Sequence, residues 1–305
     1  MRNALIETAK VFSGIVLAAL LLATPGCLVR RVTHVHAPSQ AAPAREATLA
    51  ELVAKINAWS EGIHTMNATV DLAPTAGSVY SGVIKEYHDV KGFVLVQKPS
   101  TIRLQGQAPV VRTTIFDMVS NGEEFRLLIP TKNKFIIGKT TFHRPAKNAL
   151  ENLRPQHILQ AMIVPPIDPE HETSFRHEDQ SRTQHKRYYK VEIVESPRDR
   201  HVLALHRIVW FDRADLELVR TQFYEPDGTF TEDVLYSAYQ DFQGVHFPTH
   251  IEVSRPADDY EVTITIEKAT FNEPIAPEKF NLKMPEGAEL VDLSAAKQGE
   301  NPIGQ

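Results

Sequence analysis

One cysteine in 305 residues excludes an intramolecular disulfide and any zinc site built from several thiolates, so the fold must rest on its core. Membrane-length hydrophobic segments are absent too: the most apolar run, Val11 to Ala23, falls short of the roughly 20 residues a spanning helix needs. Positive charge is scarce, with 33 Lys and Arg against 38 Asp and Glu and a net charge of −5. That balance argues against nucleic acid, because neutralising phosphates takes a concentrated basic surface. Catalytic signatures are missing as well. The chain holds no G-x-S-x-G elbow, H-E-x-x-H helix, G-x-G-x-x-G turn or C-x-x-C pair. Gly138-Lys139-Thr140 mimics the end of a phosphate loop, but Asn133 stands where such a loop needs glycine, and Phe135-Ile136-Ile137 reads as strand. The expectation is a protein that is not an enzyme and carries no cofactor and no metal. The residues that are present, 42% apolar and 23% charged, suit a chain most of which folds around a core.

The N-terminus stands apart from that core. Arg2 and Lys10 precede the apolar run, and Thr24, Pro25, Gly26 and Cys27 come after it, which reads as an export signal over residues 1–26. The placement of Cys27 resembles a bacterial lipoprotein signal, where a small residue such as Gly26 precedes the cysteine that is cleaved and acylated. Thr24 and Pro25 depart from the usual pattern, and a free cysteine after an ordinary signal is the alternative. Two or three acyl chains would hold the protein permanently, since each buried methylene contributes about 0.8 kcal/mol. Residues 27–46 then supply the lipidated Cys27 and a linker rich in Ala and Pro, too poor in large apolar residues to fold. With the positive charges of these segments set aside, the body from residue 47 to 305 carries −8.

The body opens on a helix. Thr48 and Glu51 form a T-x-x-E capping box, and Leu49, Leu52, Val53, Ile56, Trp59 and Ile63 recur at three-and-four spacing. From Thr65 the period changes to two. Met66, Ala68, Val70 and Leu72 alternate with polar neighbours, as do Tyr260, Val262, Ile264 and Ile266 near the other end, and Asn121-Gly122, Asp227-Gly228 and Gln243-Gly244 mark turns between strands. Strands with one wet face belong to an antiparallel sheet, because parallel strands buried on both sides read as continuous apolar runs. One further helical stretch, Ala149 to Val164, has Pro155 at a first-turn position and stops at Pro165-Pro166. The fold class is therefore α+β: a strongly curved antiparallel sheet of about ten strands, an unclosed half-barrel with an N-terminal and a central helix lidding its concave apolar face. The dry faces assign Met66, Val70, Val83, Leu95, Ile102, Leu104, Ile115, Phe125, Leu127, Ile136, Ile158, Met162, Phe247, Ile251, Ile264 and Ile266 to that concave side. Two helices are little cover for so much apolar surface, which leaves either a packed core or an apolar cavity.

Thirteen histidines invite a metal reading, but their surroundings argue otherwise. His34 and His36 lack a third ligand nearby, His171, His177 and His185 sit among charges, and His246 and His250 fall on the wet face of one strand. Each group reads as exposed histidine.

The order of elements resembles the LolA and LolB lipoprotein-carrier superfamily over about Thr48 to Leu293. The likeness is carried by GFVLVQKPSTIRLQGQAPVVRTTIFDMVSNGEEFRLLIPTKNKFIIG, by LRPQHILQAMIVPP, and by the stretches IVWFDRADLELVRTQFYEPDG and YQDFQGVHFPTHIEVSRP. It implies a hydrophobic cavity for acyl chains of lipoprotein or lipid, and a protruding loop that meets the membrane. The matching loop here places Pro109, Val110 and Val111 at the tip, although the family's leucine is absent, and both valines would alternatively begin a strand and face the core. Together with the signal, the resemblance implies a lipid-anchored protein of the periplasmic face of the outer membrane, with Leu28 after the cysteine in keeping with outer-membrane sorting. It would bind acylated lipoprotein or lipid, aid its delivery, and receive it from a periplasmic carrier. The alternative is a non-transporting envelope sensor or scaffold on the same fold, acting through its sheet edges or Lys186 and Arg187.

Overall fold

The computed structural model describes residues 43–76, 85–86, 90–108, 111–140, 154–180, 186–195 and 203–293, all within one compact unit, Ala41–Gln305. Cys27, Val83, Pro109 and Val110 therefore lie outside the described residues.

Helix α1 spans Leu49–Glu61 and begins as its capping box dictates. The Glu51 amide donates to Thr48 Oγ1 at 3.2 Å while the Thr48 amide donates to Glu51 Oε2 at 2.7 Å, which satisfies two amides that the first turn would otherwise leave bare. Its apolar stripe buries Leu52 and Ile56 completely. Helix α2, Pro155–Met162, opens with proline at its first position, where no amide is needed, and buries Ile158, Ala161 and Met162.

Among the described residues fifteen strands follow or separate these helices in one sheet, so the expectation of about ten falls short. In chain order they are β1 (Thr65–Ala76), β2 (Lys85–Glu86), β3 (Val90–Gln97), β4 (Thr101–Gln107), β5 (Thr114–Ser120), β6 (Glu124–Ile129), β7 (Lys134–Lys139), β8 (Glu172–Gln180), β9 (Arg187–Glu195), β10 (Ala204–Asp212), β11 (Leu218–Tyr224), β12 (Phe230–Phe242), β13 (Val245–Arg255), β14 (Tyr260–Phe271) and β15 (Glu289–Asp292). The pairing order is β15-β7-β6-β5-β4-β3-β1-β14-β13-β12-β11-β10-β9-β8, with β2 on β1. Hairpin neighbours thus pair almost throughout, and the long-range pair β1–β14 joins two meanders into one surface. Every pair is antiparallel except β15 on β7, which is parallel and corrects the all-antiparallel expectation. The undercount has a physical source, since polar-rich edge strands such as β8 have little alternation to read.

The sheet wraps. Gln156 of α2 donates to Ser120 at the end of β5 at 3.0 Å, while Tyr236 on β12 donates to the α2 carbonyl of Ala161 at 2.8 Å. Six strand steps separate β5 from β12, roughly 29 Å on a flat sheet, and an eight-residue helix is only about 12 Å long. Curvature alone brings both strands to α2. The two edges, β15 and β8, do not pair with each other among the described residues, so the barrel is unclosed.

Met66, Val70, Ile102, Leu104, Phe125, Leu127, Ile136, Ile158, Met162, Phe247, Ile251, Ile264 and Ile266 share one buried cluster on the concave side, with Ile115 half-buried at its margin. Leu95 is the exception. Val94 and Val96 are fully buried, so the pleat turns Leu95 to the outer face beside Asn67 and Arg103. The run Phe93-Val94-Leu95-Val96 is apolar in both phases, and alternation cannot choose its face. A second, smaller cluster of Val119, Phe135, Leu282 and Ala288 seals part of the convex side beneath the C-terminal segment.

Candidate functional site: an aromatic cleft beside the first helix

The dry-face residues are packed against one another, and of those expected on the concave side only Phe125 borders one of the four described clefts, on the convex side. Open space near the lid lies elsewhere. A cleft of about 500 Å³ runs between the C-terminal half of α1 and the ends of β10 to β13, within the size range of small-molecule sites.

Helical spacing builds one wall: Lys55, Ala58, Trp59 and Gly62 fall three or four residues apart and so share a stripe of α1. The opposite wall comes from two hairpin ends. The β10–β11 turn supplies Asp215, Leu216 and Glu217, with Leu216 at φ 66° donating its amide hydrogen to Asp212 O at 2.8 Å. The β12–β13 turn supplies Val245 and His246, after Gln243 and Gly244 take the left-handed φ values of 56° and 94° that a tight hairpin requires.

Trp59 forms the floor. Its indole meets Tyr236 and Tyr239 edge-on at 5.7 and 5.9 Å and Phe247 at 5.7 Å. Such contacts contribute about 0.5–1.5 kcal/mol each beyond area burial. The indole Nε1 is buried with no hydrogen-bond partner among the described residues. Tyr239 donates to Leu218 O at 2.6 Å and stacks on His246 at 5.1 Å, whose Nε2 lies 2.9 Å from Glu217 Oε1. Burial pushes the Tyr236 and Tyr239 hydroxyls well above the usual phenol range, so both remain protonated donors.

Both ends of α1 are tied down. Arg213 pairs with Glu46 at 2.7 Å, and the Arg213 and Arg176 guanidiniums cover Tyr189 at 4.5 and 4.8 Å, while the Tyr189 hydroxyl donates to Glu46 at 3.0 Å. The last two residues of the expected linker, Arg45 and Glu46, are therefore docked on the body. At the other end Lys98 donates to the Ser60 carbonyl and, at 2.9 Å, to Ser60 Oγ, placing a cation where the helix dipole favours it. Burial lowers the Lys98 pKa, opposed by Glu61.

Helix α2 sits on a different seat. Glu232 is fully buried, accepts from Arg255 at 2.6 Å and leaves Oε1 without a hydrogen-bond partner among the described residues. Burial pushes its carboxyl up to about 7 against the pull of Arg255. Arg255 also donates to Asp258 at 2.7 Å, Tyr260 lies 3.1 Å from His157 Nδ1, and Arg154 covers Phe125 at 4.8 Å. Nearby, buried Arg207 holds Glu172 at 2.6 Å and Pro166 O at 3.0 Å. Burial alone would raise the Glu172 carboxyl, but His206 and Arg207 outweigh it and hold it at about 2.

A larger recess of about 790 Å³ on the outer face is lined by Asp179, Asp212, Arg220 and Glu252, and its Trp210 is covered by Lys190 at 3.9 Å and Arg220 at 5.2 Å. Those charges suit water better than hydrocarbon. Among the described residues no group of three or more His, Cys, Asp or Glu could hold a metal ion, and no helix is long and apolar enough to cross a membrane. Val111, the one described residue of the expected tip, is 72% exposed in a turn.

Comparison with solved structures places this architecture. A DUF1329 family protein from Desulfovibrio piger aligns with a TM-score of 0.51 at 10% identity, over 75% of this chain and 94% of that one. The chain shares its fold. A LolA superfamily protein from Nitrosomonas europaea is also similar, at 12% identity and a TM-score of 0.47 over 78% of this chain and 99% of that one. A family model described as "-like: Uncharacterized protein" matches residues 168–284, less than half of the chain. No curated protein matches it.

In the sequence, Trp59 is legible only as one position of a helical stripe, and His246 only as an exposed histidine. Neither Leu216 nor Glu217 carries any signal there, because the wall of the cleft they face lies more than 150 residues away on α1.

Proposed function

We propose that this protein is a non-catalytic envelope protein, anchored through Cys27, that takes an acyl chain of lipoprotein or lipid into the cleft beside α1 and aids its delivery to the outer membrane. One observation carries the reading: a cleft of about 500 Å³ with an aromatic floor opens where a lid helix meets the curved sheet. Each methylene moved from water into such a site contributes about 0.8 kcal/mol, and a bilayer offers a comparable environment, so binding reverses at a membrane. Exposed Val111 supports a membrane-facing loop that includes Pro109 and Val110.

A second reading, an anchored scaffold that carries no cargo, is favoured by the filled concave face. Native mass spectrometry of protein purified without detergent, followed by fluorescent fatty-acid displacement, separates them. Co-purified acyl species and saturable displacement are expected of a carrier. Neither signal in repeated preparations overturns that role in favour of the scaffold.

A further inference from the structure

The cleft is not uniformly apolar, and its charges are unevenly committed. Glu217 is paired with His246 at 2.9 Å. Lys55, exposed on α1, and Asp215, across the cleft, enter no ion pair among the described residues. Asp215 uses Oδ1 to accept the Glu217 amide at 2.8 Å, which leaves its second carboxylate oxygen uncommitted. Lys55 and the Asp215 carboxylate, each without an ion pair among the described residues although the Asp215 carbonyl accepts from Arg45 at 3.3 Å, thus flank a single slot. A methylene occupies about the volume of a liquid water molecule, ~30 Å³, so the cleft's volume is comparable to that of one acyl chain of ordinary length.

Resting on the lipid-binding reading proposed for this cleft, we infer that it selects a zwitterionic aminophospholipid: one acyl chain lies over Trp59, Lys55 meets the phosphate, and Asp215 meets the ammonium. A fatty acid or an anionic phospholipid brings a partner for Lys55 but none for Asp215, and an additional unpaired carboxylate beside its own anion disfavours it. The head-group contacts are solvent-exposed, so the preference is modest, about fivefold to tenfold.

Two tryptophans are present, which makes the test direct. The full-length chain carrying Trp210→Phe reports on Trp59 alone, and bromine on an acyl chain quenches an indole only in contact. The probes are brominated lysophosphatidylethanolamine, lysophosphatidylglycerol and the free fatty acid, all with the same chain. We expect quenching by all three, with the ethanolamine lipid fivefold to tenfold tighter; Asp215→Asn removes that margin without weakening the fatty acid, whereas Lys55→Met, which removes the cation each anion meets, weakens all three. Equal affinity for the three lipids overturns head-group selection and leaves the acyl-binding cleft standing. Absence of quenching by any of them removes both. Should Trp210→Phe fail to fold, the quenching of the native chain that disappears in Trp59→Phe isolates the same signal.

Discussion

The two lid helices differ in what lies beside them. Both bury an apolar stripe, but α1 has an open aromatic cleft along its C-terminal half, whereas α2 borders an ionic cluster of Glu232, Arg255, Asp258, Tyr260, His157 and Arg154. Rings in van der Waals contact are tolerant of a new apolar neighbour, because dispersion contacts with a ligand replace those with the lid. A buried ion pair is not tolerant, since moving one partner strands the other in low dielectric. On the proposed function, the contrast makes α1 the face that admits a guest and α2 the fixed strut.

The largest expected effect lies at the strut. Arg255→Met strands the Glu232 carboxyl, and we expect a loss of about 3–5 kcal/mol in urea unfolding at pH 8. A loss below about 1 kcal/mol would show that the ionic cluster is not what seats α2. On the other helix, Trp59→Ala should cost about 2–4 kcal/mol and abolish fatty-acid binding; lost stability with unchanged binding would place the ligand elsewhere.

The titrating groups of the α2 side sharpen the contrast with opposite signs. Glu172, held at about 2 in the fold, contributes stability that is present above its ordinary value of 4.5 and is lost as pH falls from 4.5 toward 2. Glu232, raised from 4.5 to about 7, favours the fold when protonated, and its contribution declines as pH rises through that window. Each change is on the order of 1–3 kcal/mol. Thermal melts should therefore show Glu232→Gln gaining on the wild type between pH 4.5 and 7, and Glu172→Gln losing its disadvantage below pH 4.5. Parallel profiles for all three proteins would refute both assignments. The smallest effect belongs to the start of α1: Thr48→Ala removes the reciprocal cap and should cost about 1 kcal/mol, read as a shifted urea midpoint at constant slope.

Much of the fold is legible in the sequence because its signals are local. The Thr48 and Glu51 pair marks the start of α1 and the alternation of β1 and β14 their dry faces, each as the structure has it, whereas of the helix expected over Ala149 to Val164 the described part begins only at Pro155, because Arg154 is extended. The central strands are readable where wet and dry residues truly alternate. Leu95 is misplaced where they do not, and the parallel partner β15 has four residues and no pattern of its own. The cleft is not legible, since the stripe from Lys55 to Gly62 acquires a meaning only when residues 215–217 and 245–246 arrive opposite it.

Periodicity, caps and turn residues act over a few neighbours along the chain, so composition and order alone settle that a capped helix precedes a long meander of one-sided strands. How far that sheet bends, and hence whether Trp59 faces packed rings or open space, depends on contacts between residues far apart in sequence. Those contacts have no local signature, because the free energy that selects them is the burial of surfaces that meet only after the sheet has curled.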